Sequence, residues 1–275
     1  MILILIYLHY CLNKSGLRLK GLGRLQRSLN KDFIYSFRRL HLYYLPAIEG
    51  SYDYLLIGKP NEPETHLFLD RVFNRFEEFS FIDVGASVGE FAFGISHHQN
   101  LKTIYAFEPR PECAEVLRKN KELNSEKRIE ILEYAVTDGS TNALTIYLNP
   151  GGSSSGIFSS GTDHKHINVK ATALDTILTG EMVNPIILID VEGGEPLVIK
   201  GGIGFINRNK PLIIFEYNNT SKQHYNLKDI FKLLGNGYEI FRLNNKGLLD
   251  KDLSDTWNCV AVPSNTIFSK IIGIC

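Results

Sequence analysis

Four short runs of this chain are almost wholly apolar, and each meets an acid at or near its end. They are FIDV (Asp83), TIYAFE (Glu108), PIILID (Asp190) and PLIIFE (Glu216). A strand without a polar face must be buried on both faces, which points to a parallel sheet covered by helices. The segments between the runs have helical patterning. Glu90 to His97 follows the first, RPECAEVLRKNKELN follows the second with Val116 and Leu117 inward, and Pro196 to about Asn207 follows the third. IEILEYAV adds a strand over Ile129 to Val136. The alternation predicts an α/β fold with a doubly wound, mainly parallel sheet.

Upstream, Asn61 has the chemistry of a helix cap, with Pro63 in the first turn and Glu64 three residues on; that helix should run to about Phe79. The alternation breaks after Asp138-Gly139. ALTIYLN and INVKATALD alternate with period two and flank PGGSSSGIFSSGTDHKH, which predicts an inserted antiparallel hairpin with a long Gly/Ser-rich loop. A helix over Leu227 to Leu234 is followed by YEIFRL and WNCVAVP, antiparallel strands at the C-terminal edge of the sheet. The chain thus divides into an N-terminal segment (residues 1–60), a main domain (61–265) and a short tail (266–275).

With 44% hydrophobic and 22% charged residues, wholesale disorder is excluded. The formal net charge is zero, yet Lys14 to Arg39 carries eight Lys or Arg against one acid, Asp32. The remainder is therefore acidic by seven charges, which argues against nucleic acid as the partner of the main domain. Within the basic segment Leu22, Leu25, Leu29 and Phe33 recur at helical spacing between Arg24, Arg27 and Lys31. Such a helix is compatible with lying on an anionic membrane surface; packing its leucines on the main domain is the commoner alternative. The apolar start MILILIYLHY is shorter than the roughly 20 residues of a bilayer span and lacks a cleavage signature. Cys11, Cys113, Cys259 and Cys275 are widely spaced with no CxxC, as in a reduced cytoplasmic protein.

In a doubly wound sheet the strand ends line one crevice. One acid there could be accidental, but four together need a ligand or partner to offset their burial. The first turn is Gly85-Ala86-Ser87-Val88-Gly89, two glycines without the third of a dinucleotide fingerprint. Asp83 beside it would repel a phosphate but could support an ammonium group, and Glu108 can accept both hydrogens of a ribose diol. An amino acid joined to a nucleoside without phosphates is S-adenosylmethionine.

On FIDVGASVGEFAF, YAFEPRPE, AVTDG, TALDTIL, IDVEGGEPLVIKG and IIFEY, the chain resembles the FkbM-type S-adenosylmethionine-dependent methyltransferases, a branch of the class I Rossmann-like enzymes. The resemblance covers roughly Glu64 to Pro263, and FEPRPE with IDVEGGE are its specific part. It implies that Asp83, Gly85, Ala86, Gly89 and Glu108 hold the cofactor and that Val136 borders the adenine. Ser87 stands where the family frequently has Asn. The implied reaction is O-methylation of a sugar, glycan or other small hydroxylated metabolite.

Asp190, Glu192 and Glu216 would face the methyl group, one of them as general base. The competing reading is a hard cation such as Mg²⁺ held by Asp190, Glu216 and Asn218; a metal-free base is the expectation. Glu192 and Glu195 could instead serve only to cap the following helix. His164 and His166 are weaker candidates for the base. The Gly/Ser-rich loop, Pro150 to Thr162, is expected to close over the acceptor. Two other functions compete: a nicotinamide-dependent oxidoreductase, disfavoured by Asp83 and the missing glycine, and a cofactor-binding scaffold without turnover.

Overall fold

Alternate side chains of a strand point to opposite faces, so a run with no polar members needs a core on each face, and the central sheet of this protein has one on each. The computed structural model describes residues 4, 7, 8, 11, 33–38, 40–44, 53–148, 156–158, 165–254 and 256–273. Its strands are β1 (Phe33–Phe37), β2 (Leu40–Tyr44), β3 (Phe79–Val84), β4 (Leu101–Phe107), β5 (Ile129–Leu132), β6 (Ala135–Val136) and β7 (Ala143–Leu148). They continue with β8 (Lys165–Thr172), β9 (Pro185–Ile189), β10 (Leu212–Glu216), β11 (Tyr238–Leu243), β12 (Leu249–Asp250) and β13 (Asn258–Pro263). The helices that position the site are α1 (Pro63–Phe73), α2 (Glu90–Gly94), α3 (Pro111–Leu123), α4 (Leu174–Ile177), α5 (Glu195–Gly201), α6 (Ile203–Asn209) and α7 (Leu227–Leu234).

The central sheet has the order β12-β11-β13-β10-β9-β3-β4-β5. From β10 to β5 all neighbours are parallel; β13, β11 and β12 pair antiparallel. On one face Phe81, Ile186 and Ile214 join Phe73, Phe93 and Leu117 in a core. On the other, Ile82, Ile187 and Ile213 pack with Val198, Phe205 and Ile230. The doubly wound, mainly parallel sheet is as the apolar runs predict. The chain leaves β3 toward β4 and β5, then returns to β9 on the other side of β3, so the topological switch point lies between β3 and β9. Ligand crevices form outside the carboxyl ends of strands at such a point.

Several boundaries differ from the sequence expectation. α1 ends at Phe73, and its N-cap is Glu62; Asn61 donates its side chain to Glu90 instead. The strand expected over Ile129 to Val136 bends at Glu133-Tyr134, and β6 joins a separate three-stranded sheet, β6-β8-β7, built on the inserted hairpin. The helix expected from Pro196 to Asn207 breaks at Gly201-Gly202. A side-chain carbon on Gly201 would stand 1.9 Å from the Thr137 carbonyl oxygen, so the hairpin sheet approaches the helix backbone too closely for anything but glycine. At the C-terminal edge β13 sits inside and β11 outside, with the short β12 as the last strand.

Phe33 does not end a helix. It begins β1, where Tyr35 and Phe37 are buried and Ile34 is exposed, a period of two. Leu22, Leu25 and Leu29 lie outside the described residues. So do His164 and most of the loop from Pro150 to Thr162. The segments that the sequence sets apart at either end contribute to the first core through Tyr35, Phe37, Leu42 and Phe268. Arg38 fixes the β1–β2 hairpin by a two-pronged contact with Asp70 on α1, both bonds 3.0 Å. Burial alone would raise the Asp70 pKa, but His98 and Arg38 together hold it down at about 2. Asp70→Asn should therefore cost about 1 kcal/mol in chemical denaturation, the scale of one half-exposed charged contact. Among the described residues no helix is long and apolar enough to cross a membrane.

Candidate active site

The β3 and β9 ends meet at the switch point. Asp190 N donates to the Val84 carbonyl at 2.9 Å, and a side chain on Gly85 would lie 1.9 Å from the Asp190 carbonyl oxygen. Gly85 has φ +92, so it is glycine both for conformation and for space. Ser87 also has positive φ, 48°, and its N–H points at Glu108.

A cavity of about 340 Å³ opens over these strand ends, within the range of small-molecule sites. Gly85, Ala86, Glu108, Val136, Asp190, Glu192 and Glu216 all line it. Asp83 and Gly89 do not. Asp83, 1% exposed, sits behind the glycine turn and accepts from Ala92 N at 3.0 Å, anchoring α2. Gly89 caps that helix at φ +90, and a side chain there would meet Phe93 and Leu117. His166 is exposed on β8 and is not among the lining residues.

At one end of the cavity Glu108 is 4% exposed and accepts from Ser87 N at 2.8 Å and Arg110 N at 2.9 Å, one amide on each oxygen. Burial pushes its pKa up to about 7 despite those two bonds. Tyr134, Val136, Leu144, Ile146 and Ile157 form the apolar wall beside it. The inserted hairpin therefore builds part of the site as well as carrying the loop. Phe158 in that loop stacks on His224 with ring centres 3.7 Å apart.

At the other end stand Asp190, Glu192 and Glu216, each with a carboxylate oxygen within 4.8 Å of the others. Burial, then Glu216 and Glu62, holds the Asp190 pKa well above the carboxylate range; burial, then Glu192 and Glu195, does the same for Glu216. Glu195 points away. Its Oε1 accepts from Val191 N at 3.2 Å and Gly193 N at 3.1 Å, so this acid holds the turn that leads into α5 and places its charge in the first turn of that helix. Glu192 is held at φ +55, unusual for a residue with a side chain, and faces the cavity.

Sequence reasoning does not find Glu62, Glu64, Glu90, Tyr134 or Trp257, which also line the cavity. Glu90 accepts from the Asn61 backbone and side chain at 2.8 Å each and contacts His66 Nε2 at 3.2 Å. Only the long-range pairing of α1 with α2 creates this cluster, and no local spacing announces it.

Four buried acids respond to pH in one direction. Burial raises Asp83, Glu108 and Glu195 to about 7, and Glu216 is raised as well. Raised native pKa values stabilise the fold below the unfolded carboxylate pKa, and that stability is lost as pH climbs through the native values. The melting temperature of the ligand-free protein should fall by several degrees between about pH 5 and pH 8. Asp70, held low, has already given its full contribution above that window's lower end. A flat profile by scanning calorimetry would show that these acids stay charged.

The model of the FkbM methyltransferase domain matches residues 83–240. The chain belongs to the FkbM methyltransferase family. The domain that defines the family is described as that of a methyltransferase. Among solved structures, the FkbM methyltransferase from Methylobacillus flagellatus KT is 20% identical, with a TM-score of 0.46 over 68% of this chain. This chain spans 44% of that protein's length. TYW2 of M. jannaschii, in complex with AdoMet, is 12% identical over 84% of each chain with a TM-score of 0.42. Trm5b from Pyrococcus abyssi is 14% identical with a TM-score of 0.41, over 84% of this chain and 54% of its own. No curated protein matches this chain.

Proposed function

We propose that this FkbM-family protein methylates a hydroxyl of a sugar, glycan or other small hydroxylated metabolite. The observation that carries the reading is one cavity with Glu108 at one end and Asp190, Glu192 and Glu216 at the other. Each Glu108 oxygen accepts one backbone amide and keeps a lone pair, so the carboxylate can take the two ribose hydroxyls. Gly85 and Ala86 let the backbone approach the amino-acid part of the cofactor, and Val136 with Leu144 and Ile146 borders the adenine. Asp83 and Gly89 serve from behind, by holding the turn on α2.

S-adenosylmethionine supplies an electrophilic methyl group when bound, so the protein has only to align an acceptor oxygen and receive its proton. The acceptor oxygen bonds to the methyl carbon, the carbon–sulfur bond breaks with its electron pair on sulfur, and the hydroxyl proton passes to a carboxylate. The acids beside the methyl position are the candidates for that base. Glu62 and Glu64 extend the acidic wall, and Trp257, 54% exposed, offers a flat apolar face at the rim. Acids accept hydrogen bonds from hydroxyls and repel polyanions, which favours a polyol over nucleic acid.

Calorimetry tests the cofactor assignment. S-adenosylhomocysteine should bind the pure protein and NAD should not; tighter binding of NAD would falsify it. Labelled methyl from S-adenosylmethionine, offered with polyol and glycan extracts, then reports the acceptor.

A further inference from the structure

We propose that Asp190, Glu192 and Glu216 bind one hard divalent cation at the acceptor end of the cavity. This deepens the proposed function, which supplies the identity of that end; the metal chemistry stands on the side chains alone.

Oxygens sharing one cation lie about 3–5 Å apart at metal–oxygen distances of about 2.1–2.5 Å. The three carboxylates offer oxygens within 4.8 Å of one another, so small side-chain rotations complete the set. A second observation points to a ligand. Glu216 is 7% exposed, and its Oε2 has no hydrogen-bond partner among the described residues. Its Oε1 accepts from Asn218 Nδ2 at 2.5 Å, which fixes the carboxylate and leaves Oε2 as the free ligand atom. Burying an acceptor without a partner is costly, and a cation at this spot removes the cost.

Asn218 is not the third ligand. Its Oδ1 already accepts from Thr220 N at 2.7 Å and Ser221 N at 3.0 Å, and its amide nitrogen faces Glu216. Glu192 takes that place, held toward the cavity by its left-handed backbone. Arg110 is the one Lys or Arg among the described residues lining the cavity, and it pairs with Glu112. All three donors are carboxylates, which suits Mg²⁺, Mn²⁺ or Ca²⁺ rather than a softer metal. Three side-chain ligands leave coordination positions for water or acceptor oxygens, so the cation would orient the hydroxyl and balance the acids' charge.

The test uses the full chain, stripped of metal by dialysis against EDTA. Free Mn²⁺ is followed by electron paramagnetic resonance during titration, and S-adenosylhomocysteine binding is measured in parallel. One Mn²⁺ per chain is expected, with a dissociation constant below about 1 mM and displacement by Mg²⁺. Glu192→Gln and Glu216→Gln, each shown to be folded by circular dichroism, should weaken it by about tenfold or more. Asp70→Asn, in the Asp70–His97–His98 group across the molecule, should leave it unchanged. No saturable Mn²⁺ site in a protein that binds S-adenosylhomocysteine overturns the cation site and leaves the methyltransferase reading standing. Mn²⁺ binding without S-adenosylhomocysteine binding does the reverse. Undiminished Mn²⁺ binding in both glutamine variants overturns the location.

Discussion

Asp190→Asn should lower methyl transfer by roughly 100-fold or more, the scale of a lost general base, while S-adenosylhomocysteine affinity shifts by less than about threefold. The substitution keeps shape and removes charge. Asp190 follows β9, on the far side of the switch point from Glu108 after β4, so under the proposed function its charge would act on the acceptor. Labelled-methyl transfer at saturating cofactor gives the first number and calorimetry the second. Chelation adds a distinction: activity removed by EDTA and restored by Mg²⁺ assigns the carboxylate to a cation, and unchanged activity assigns it to the proton. A folded variant that no longer binds S-adenosylhomocysteine would move Asp190 to the cofactor end.

Glu108→Ala should weaken S-adenosylhomocysteine by about 2–4 kcal/mol, roughly 30- to 850-fold, because two hydrogen bonds to a charged acceptor are lost. The measurement belongs near pH 8. Burial places the Glu108 pKa at about 7, so the wild type should itself lose affinity as pH falls through that value and the carboxylate gains a proton. The alanine variant should show little of this slope. A loss below about 0.5 kcal/mol in a folded variant, with the slope intact, would put the ribose elsewhere.

The sheet was legible because burial on both faces leaves a mark in the sequence: PIILI and LIIF carry no polar residue at all, and FIDV carries only the acid Asp83. The acids after those runs were legible for the same reason, since the end of an apolar run marks the end of a strand. Glu108, Asp190, Glu192 and Glu216 line one cavity with Gly85, and so do Ala86 and Val136, which only the family resemblance singles out. Asp83 and Gly89 belong to the same turn but face its other side, and spacing alone does not show which side of a turn a ligand takes. At the bend Leu132 and Glu133 reverse the alternation of Ile129-Glu130-Ile131, a signal that one strand over Ile129 to Val136 does not accommodate. Gly201-Gly202 was an available signal for a helix break. Asn218 was available too: Asn-Asn-Thr-Ser is turn chemistry, and an Asn in such a turn spends its oxygen on its own backbone. Glu62, Glu64 and Trp257 lie beside loops brought in from distant parts of the chain, which no local pattern encodes.

The close backbone crossing of Gly85 and Asp190 has a consequence for redesign. Under the proposed function the part that would grip the cofactor and the part that would confront the acceptor are one piece, so neither can be remodelled without moving the other. New acceptor preferences must come from the pieces hung around that hub: Ile157 and Phe158 in the loop of the hairpin, and Trp257 at the rim. A library confined to those three positions would sample new acceptors on an unchanged frame, whereas one centred on the glycine turn would mostly return unfolded chains.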